Sequence, residues 1–268
     1  MKKLYFLLIL VSVVSFGQTS KEYFDSGRDK AAAKDYYGAI SDYTKAIELN
    51  PTSSAGTLHN RGLSKYALKD YYGAISDYNK SIELKPNYDK AYHGRGISKS
   101  FLKDYYGAIS DYNKAIELKP NDDSAYYNRG LSKYALKDYS GAISDYNKAI
   151  ELDPNKVKAY IGRGLSKKNL EDYYGAISDY NKAIELDPNY ASAYYNRGNS
   201  KNKLNDYYGA ISDYTKEIEL DSNYVYAYRS RGISKELIGD LTGACADWKK
   251  AASLGSSDSA KWVANQCN

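Results

Sequence analysis

One stretch of the chain, DDSAYYNRGLSKYALKDYSGAISDYNKAIELDPNK at Asp122–Lys156, carries the pattern that decides the fold. The apolar residues of its second half recur at the spacing of a helix, not at the alternation of a strand: Ala142, Ile143, Tyr146, Ala149 and Ile150. Pro154 ends this pattern because it has no backbone N–H and clashes with the preceding turn. We predict one helix over residues 124–136, a turn, and a second helix over 139–152.

The same stretch is repeated along most of the chain. Successive copies are 34 residues apart, except for a first step of 35 residues that Ser54 explains as an insertion. The tripeptide GAI, or GAC in the last copy, begins at Gly38, Gly73, Gly107, Gly141, Gly175, Gly209 and Gly243. The seven repeats, from whose first residues we number positions, start at Ser20, Ala55, Asp89, Asp123, Val157, Ala191 and Val225. A period of this length is typical of helical repeat proteins.

Small residues recur at two fixed positions of every repeat. Position 8 is glycine and position 20 is alanine in all seven copies. Glycine inside a helix costs about 1 kcal/mol relative to alanine, so its recurrence indicates that the paired helices approach closely there. The 32 tyrosines concentrate at positions 4, 17, 18 and 24. We predict that most of them are packing residues or helix starters, not a binding surface.

The repeat has an aromatic residue at position 4, Gly at 8, Ala at 20, a large aromatic residue at 24, Ala at 27 and Pro at 32. This pattern resembles the tetratricopeptide repeat, and the resemblance covers residues 20–258. It implies an all-α fold, a right-handed superhelical solenoid of seven antiparallel helix pairs with a concave groove. Residues 259–268 are predicted to form a C-terminal capping helix. Stacking is also needed physically, since one helix pair cannot bury its apolar face alone.

Three positions depart from the family pattern together. Position 7 is arginine in repeats two to seven, position 11 is lysine in every repeat, and position 23 is aspartate in every repeat. The family usually has leucine or aromatic residues at these places. Because positions 7 and 23 lie toward the interface between the two helices, we predict a row of inter-helix ion pairs. The alternative is a charged track for a ligand.

The resemblance also implies that positions 2, 5, 6, 9, 12 and 13 of the first helix line the groove. These positions vary among the copies while the packing positions stay fixed. Asparagine recurs at position 6 in alternate repeats, and an amide that both donates and accepts can hold a peptide backbone. The candidate partner-binding residues are His59, Asn60, Tyr66, Lys90, His93, Tyr127, Asn128, Tyr134, Tyr195 and Asn196. Asn60 and Lys90 match two places of the family's carboxylate clamp, but Phe24 and Gly94 do not, so we do not carry that specificity over.

Motifs for catalysis and for cofactors are missing from the sequence. It contains no GxSxG, HExxH, CxxC or GxxxxGK[ST] motif, so we predict neither an enzyme nor a cofactor. His59 and His93 have no accompanying third ligand, which argues against a metal site. The net charge is +5, but lysine alternates with acidic residues. Nucleic-acid binding normally requires a concentrated basic stripe, and we predict no such partner.

The first 17 residues, MKKLYFLLILVSVVSFG, have the form of a secretory signal peptide: two lysines, a short apolar run, and small residues before a cut at Gln18. The apolar run at 4–14 is too short to span a bilayer comfortably, although an uncleaved anchor is the alternative. We therefore predict an exported protein, periplasmic or secreted. In an oxidising compartment Cys245 and Cys267 are predicted to join the last repeat to the capping helix by a disulfide, with two free buried thiols as the alternative.

These features predict a protein–protein interaction scaffold that binds a peptide or helix of an envelope or secreted partner in the concave groove. The alternative is a glycan- or ligand-binding module of the cell envelope that uses tyrosine and asparagine side chains. Self-association through the open edges of the superhelix is a third possibility. The partner is an unidentified protein or peptide, and membrane contact is expected only through the transient signal peptide.

Overall fold

The computed structural model describes residues 18–267, which form fifteen α-helices and one short 3₁₀ helix at Pro51–Ser53. The α-helices are α1 Ser20–Ala32, α2 Tyr36–Leu49, α3 Ala55–Ala67, α4 Tyr71–Leu84, α5 Asp89–Phe101, α6 Tyr105–Leu118, α7 Asp123–Ala135, α8 Tyr139–Leu152, α9 Val157–Asn169, α10 Tyr173–Leu186, α11 Ala191–Lys203, α12 Tyr207–Leu220, α13 Val225–Leu237, α14 Leu241–Ser253 and α15 Ser257–Gln266. The predicted all-α fold of seven helix pairs and a final helix is confirmed. The signal peptide predicted at residues 1–17 lies outside the described residues.

The chain divides into two compact units, Met1–Gly94 and Arg95–Asn268, whose boundary falls inside α5. In the first unit, α1 packs on α2, α2 on α3 and α3 on α4. In the second unit, each helix from α6 to α15 packs on the next one. The first helices of neighbouring repeats also touch, α7 with α9, α9 with α11 and α11 with α13. Along residues 18–267, no helix is both long enough and apolar enough to cross a membrane.

Each second helix begins at an aspartate that caps it, as the fourth repeat shows. The Asp138 carboxylate accepts a hydrogen bond of 2.9 Å from the Gly141 backbone N–H, one of the donors that a helix start leaves without a partner. A Cβ on Gly141 would lie 2.1 Å from Oδ2 of Asp138, so the glycine makes room for the cap. Lys137, just before it, has a left-handed φ of 64° that reverses the chain between α7 and α8. The predicted turn is therefore formed by a left-handed residue, Lys137, followed by a capping aspartate, Asp138.

The glycine at position 8 faces the aromatic ring at position 24 of the same repeat. Tyr146 is fully buried, and a Cβ added to Gly130 would lie 2.8 Å from its ring. The predicted close approach is present, but the ring of the second helix fills the space, and the two backbones do not meet there. Equivalent pairs are Gly27–Tyr43, Gly62–Tyr78, Gly96–Tyr112, Gly164–Tyr180, Gly198–Tyr214 and Gly232–Trp248.

Replacing Gly130 by alanine is expected to lower the free energy of unfolding by about 1–3 kcal/mol, because the added methyl group displaces a buried ring. Chemical denaturation measures this change. Gly56→Ala is the matched control, since nothing lies within 4 Å of a Cβ at that helical glycine. It should stabilise the protein by up to about 1 kcal/mol through helix propensity. Equal losses in the two variants would contradict the packing explanation.

The C-terminal helix α15 lies against the second helix of the last repeat. The Trp262 ring packs 5.3 Å from the ring of Trp248, which is fully buried at position 24. Cys245 of α14 and Cys267, which follows α15, are joined in a disulfide with their Cα atoms 5.5 Å apart. One aromatic contact and one covalent link therefore hold α15 over the last repeat.

Candidate functional site

A buried aspartate organises the charged residues of each repeat. Asp145 is 2% exposed, and its carboxylate accepts hydrogen bonds of 2.6–3.1 Å from the Arg129 guanidinium. The Lys133 ammonium lies 2.8 Å from the same carboxylate. These three groups join the first helix of the repeat to the second, as the ion-pair hypothesis predicted. The carboxylates at position 23 are therefore occupied and do not form an open track for a ligand.

The same triad recurs in the repeats with arginine at position 7. Its members are Arg61–Asp77–Lys65, Arg95–Asp111–Lys99, Arg163–Asp179–Lys167, Arg197–Asp213–Lys201 and Arg231–Asp247–Lys235. In the first repeat, Ser26 and Lys30 hold Asp42 instead. The arginine also reaches the preceding repeat, because Arg129 donates a 2.7 Å hydrogen bond to Oδ1 of Asn113. The sequence did not reveal this link between repeats.

The three candidate asparagines have different surroundings. Asn60 lines a hollow in the first unit, described below. Asn128 is half-buried in α7. Asn196 donates a 2.8 Å hydrogen bond from its amide to the backbone oxygen of Ser192, one turn earlier in its own helix. The amide of Asn196 is thus partly occupied by its own helix.

The histidine candidates differ in exposure from each other. His59 is only 8% exposed, and its ring lies 5.8 Å from the Tyr78 ring and 5.3 Å from the Tyr88 ring. Burial lowers the pKa of this histidine. His59 is therefore a neutral packing residue, which corrects its assignment as a groove-lining donor. His93 is half-buried and Lys90 is exposed in α5.

The tyrosine candidates mostly pack against other tyrosines. Tyr66 lies 5.6 Å from the Tyr71 ring, and Tyr127 lies 5.9 Å from the Tyr146 ring. The Tyr134 hydroxyl accepts a 3.1 Å hydrogen bond from Asn169. The Tyr195 ring contacts two rings, Tyr214 at 5.8 Å and Tyr224 at 5.1 Å. These side chains are half-buried and present only part of their surface to a partner.

Five tyrosines at position 18 lie at helix starts, as predicted, but do not pack in the core. They are 73–77% exposed, and they are Tyr37, Tyr72, Tyr106, Tyr174 and Tyr208. By contrast, the tyrosines at position 24 are 0–1% exposed. Position 18 falls in the first turn of the second helix, on the side away from the buried face. Its tyrosines form a separate exposed row within each unit.

Each unit has a hollow between successive first helices. The N-terminal hollow has a volume of about 330 Å³ and is lined by Arg28, Ala31, Tyr36, Tyr43, Asn60, Leu63, Ser64 and Ala67. Arg28, the cationic residue in this lining, is paired with acidic residues, since it lies 3.2 Å from Asp25 and 3.4 Å from Asp29. Of the ten candidate residues, Asn60 alone is among its lining residues.

The C-terminal hollow has a volume of about 580 Å³ and takes its walls from the fifth, sixth and seventh repeats. It is lined by Lys168, Tyr173, Asn199, Asn202, Lys203, Arg229, Ser230 and Ile233. Seven of these eight residues occupy positions 5, 6, 9, 12 and 13 of first helices, the positions that the resemblance predicted for the groove. None of the eight is among the ten candidate residues named from the sequence. The signal was present, because Lys168 and Asn199 differ from the residues at their positions in the other repeats.

The Tyr214 hydroxyl fixes two asparagines of the C-terminal hollow. It donates a 2.9 Å hydrogen bond to Oδ1 of Asn199 and accepts one of 3.1 Å from Nδ2 of Asn202. Oδ1 of Asn202 in turn accepts a 2.9 Å hydrogen bond from the Ser234 hydroxyl. Each amide oxygen therefore already accepts one hydrogen bond, and each side chain keeps at least one amide N–H group that can donate to a ligand.

Family models match five segments of the chain. Models described as "Tetratricopeptide repeat" match residues 55–88, 124–156 and 191–224, and one described as "TPR repeat" matches residues 102–137 and 168–204. Together these segments cover more than half of the chain. No curated protein matches it.

Solved structures of repeat proteins have the same fold. A tetratricopeptide repeat protein from Parabacteroides merdae is 22% identical with a TM-score of 0.68, over 94% of this chain and 100% of that chain. MamA is 28% identical with a TM-score of 0.58, over 62% of this chain and 96% of its own. YrrB, described as a TPR protein with an unusual peptide-binding site, is 25% identical with a TM-score of 0.60, over 69% of this chain and 95% of its own.

Proposed function

Because this chain is built from tetratricopeptide repeats, we propose that it is a non-catalytic scaffold that binds a peptide or helix of a partner protein. The observation that carries this proposal is the C-terminal hollow, a space of about 580 Å³ whose walls come mainly from three successive first helices. A hollow made by several repeats suits a ligand that runs from one repeat to the next. The peptide-binding site named for YrrB supports the same use of the fold.

The distribution of constant and varied residues among the repeats also supports the hollows as the binding surface. The ion triads and the glycine–aromatic pairs are nearly constant and serve packing. Variation is concentrated at the positions that line the two hollows, where Leu63 of one corresponds to Asn199 of the other, and Ala31 to Lys168. A constant scaffold with a varied inner surface is what selective binding of one partner requires.

We also propose that the partner is an envelope or secreted protein. The support is the signal-peptide pattern of residues 1–17 together with the disulfide between Cys245 and Cys267. Disulfides persist in oxidising compartments and are rare in the cytosol. Both features agree with export to the periplasm or the medium.

A pair of adjacent tyrosines allows a matched test of the scaffold. Tyr173 lines the C-terminal hollow, whereas Tyr174 is 76% exposed outside it. A photoreactive phenylalanine analogue at either site changes the side chain little, and irradiation of cells that produce the protein links it to whatever lies within reach. We expect a cross-link from position 173, but not from 174, to one defined segment of a second protein, identified by mass spectrometry.

Three outcomes would count against the scaffold. Equal yields at both positions would mean that the hollow is not the binding surface. Cross-links only to copies of this chain would favour self-association, and cross-links to sugar would favour the glycan-binding alternative.

A further inference from the structure

The C-terminal hollow is lined by three cations and by no acidic residue. Lys168, Lys203 and Arg229 all contribute to its walls. Among residues 18–267, neither lysine has an acidic group within ion-pair distance. Arg229 is paired with the largely exposed Asp258 at 3.4 Å and lies over the Tyr226 ring, while its Nε is buried without a hydrogen-bond partner in the described structure. The hollow therefore holds two lysines without an acidic partner in the described structure, beside an arginine that has one.

Holding Lys168 in its charged form without an anionic partner costs free energy. Its side chain is half-buried on α9, and burial lowers the pKa of its amine. A buried ammonium group is normally paired, since an unpaired one loses hydration without recovering it. An anion in the hollow would supply the missing partner.

The hydrogen-bonding groups of the hollow have the same preference. Tyr214 and Ser234 occupy the amide oxygens of Asn199 and Asn202, so these two side chains offer N–H groups. Lysine and arginine are donors only. A ligand that provides acceptors, as a carboxylate does, can therefore bond to both lysines, the arginine and the free amide N–H groups.

The N-terminal hollow provides a comparison within the same chain. It occupies the equivalent place between first helices, with Tyr36 at the position of Tyr173. There, Arg28 already has Asp25 and Asp29 as partners, and alanine and leucine replace the polar residues. The uncompensated charge is thus a feature of the C-terminal hollow and not a consequence of the repeat.

We propose that the C-terminal hollow selects an acidic peptide segment, whose carboxylates pair with Lys168, Lys203 and Arg229 and accept hydrogen bonds from Asn199 and Asn202. This inference rests on the proposed scaffold function and names the class of segment that the scaffold takes. The carboxylates come from aspartate or glutamate side chains, since three cations spread over three repeats suit several charges along an extended chain. Charge-assisted hydrogen bonds of this kind are about twice as strong as neutral ones.

Binding of defined peptides to the full chain tests the proposal. The probes are two fluorescent peptides of equal length, one of alternating glutamate and tyrosine and one of alternating glutamine and tyrosine, both amidated at the C terminus. Fluorescence anisotropy should give at least tenfold tighter binding of the glutamate peptide, weakening as salt is added. A third probe, the glutamine peptide with a free C-terminal carboxylate, separates recognition of side chains from recognition of the chain end.

Charge-matched variants locate the site. Lys168→Gln with Lys203→Gln should weaken binding of the glutamate peptide at least tenfold. Lys80→Gln with Lys261→Gln removes the same charge from exposed sites outside the hollow and should change binding less than twofold. A second readout is NMR titration of the Lys168 ammonium group, whose pKa should rise when the glutamate peptide is bound because the carboxylate favours the charged form.

Each outcome decides the proposal. Equal binding of the two amidated peptides, no binding of either, or equal losses in the two double variants would overturn it. Competition by inorganic phosphate at the concentration of the peptide would point to a phosphate site instead. A protein segment that cross-links at position 173 while the glutamate peptide shows no preference would leave the scaffold standing and refute acidic selection alone.

Discussion

Asp145→Ala is expected to lower the free energy of unfolding by about 3 kcal/mol, the low end of the cost of removing one partner from a buried ion pair. Asp145 is 2% exposed and holds Arg129 and Lys133 through contacts of 2.6–3.1 Å. Without the carboxylate, two cations remain at the interface between α7 and α8, and only their partial exposure softens the cost. Chemical denaturation followed by circular dichroism measures the change.

Asp153→Ala is the matched control for Asp145→Ala. Asp153 closes α8, and its carboxylate accepts one hydrogen bond of 3.1 Å from the Asn155 backbone N–H. Its loss should cost less than about 1 kcal/mol, since among the described residues the half-buried Asp153 makes this hydrogen bond and no ion pair. Identical midpoints for the two variants would show that the triad does not stabilise the repeat.

A compensated variant separates charge from packing. Arg129→Leu, Lys133→Met and Asp145→Leu together remove the whole triad and restore the apolar character usual in the family. Replacing a buried ion group by apolar residues is often neutral or stabilising. The triple variant should therefore be more stable than Asp145→Ala alone. If it is less stable, the three side chains hold the helices by shape and not by balanced charge.

The period of the sequence was enough to predict the helices because each helix is set by nearby residues. Asp138 caps α8 through a residue three positions away, and Pro154 follows its end by two residues. The ion triads could be predicted as well, since Arg129 and Asp145 change together relative to the family pattern. The same caps and charged residues recur in several repeats, and this recurrence supports both predictions.

The binding surface could be predicted by position but not by residue. The C-terminal hollow joins Lys168, Asn202 and Arg229 from three repeats, and their combined charge is visible only when the helices are assembled. The opposite error occurred at His59. Its position in the repeat suggested a groove, but the rings of Tyr78 and Tyr88 cover it. Both rings belong to the same repeat as His59, and the groove position alone does not show which side chains of that repeat fold over it.

Glu217 is a further departure from the repeat pattern. It occupies position 27, where the other repeats have alanine or serine, and its side chain is 2% exposed on α12. Its Oε2 is buried and has no hydrogen-bond partner among the described residues. Burial, with a smaller contribution from the charge of Asp221, raises the pKa of Glu217 to about 7. The native protein therefore binds a proton at this site that the unfolded chain releases at lower pH.

The direction of the pH effect follows from that difference. Below the unfolded pKa of 4.5, both states are protonated and the site has no effect on stability. Between 4.5 and about 7 the folded state alone keeps the proton, so stability falls as pH rises. Above about 7 both states are ionised and the full penalty of a buried carboxylate remains. From the two pKa values this penalty is about 3 kcal/mol.

The change in the free energy of unfolding caused by Glu217→Ala should accordingly be about 3 kcal/mol more favourable at pH 8 than at pH 4. Alanine is the residue at this position in most repeats, and Ala183 is fully buried there, so the smaller side chain is compatible with the packing. Denaturation curves of parent and variant between pH 4 and 8.5 measure the difference, in which the titration of all other groups cancels. Glu217→Gln keeps the size of the side chain and removes only its charge, so it should reproduce the pH dependence of the alanine variant. A constant difference between parent and both variants across this range would mean that the carboxyl is hydrated and ionised in the folded protein.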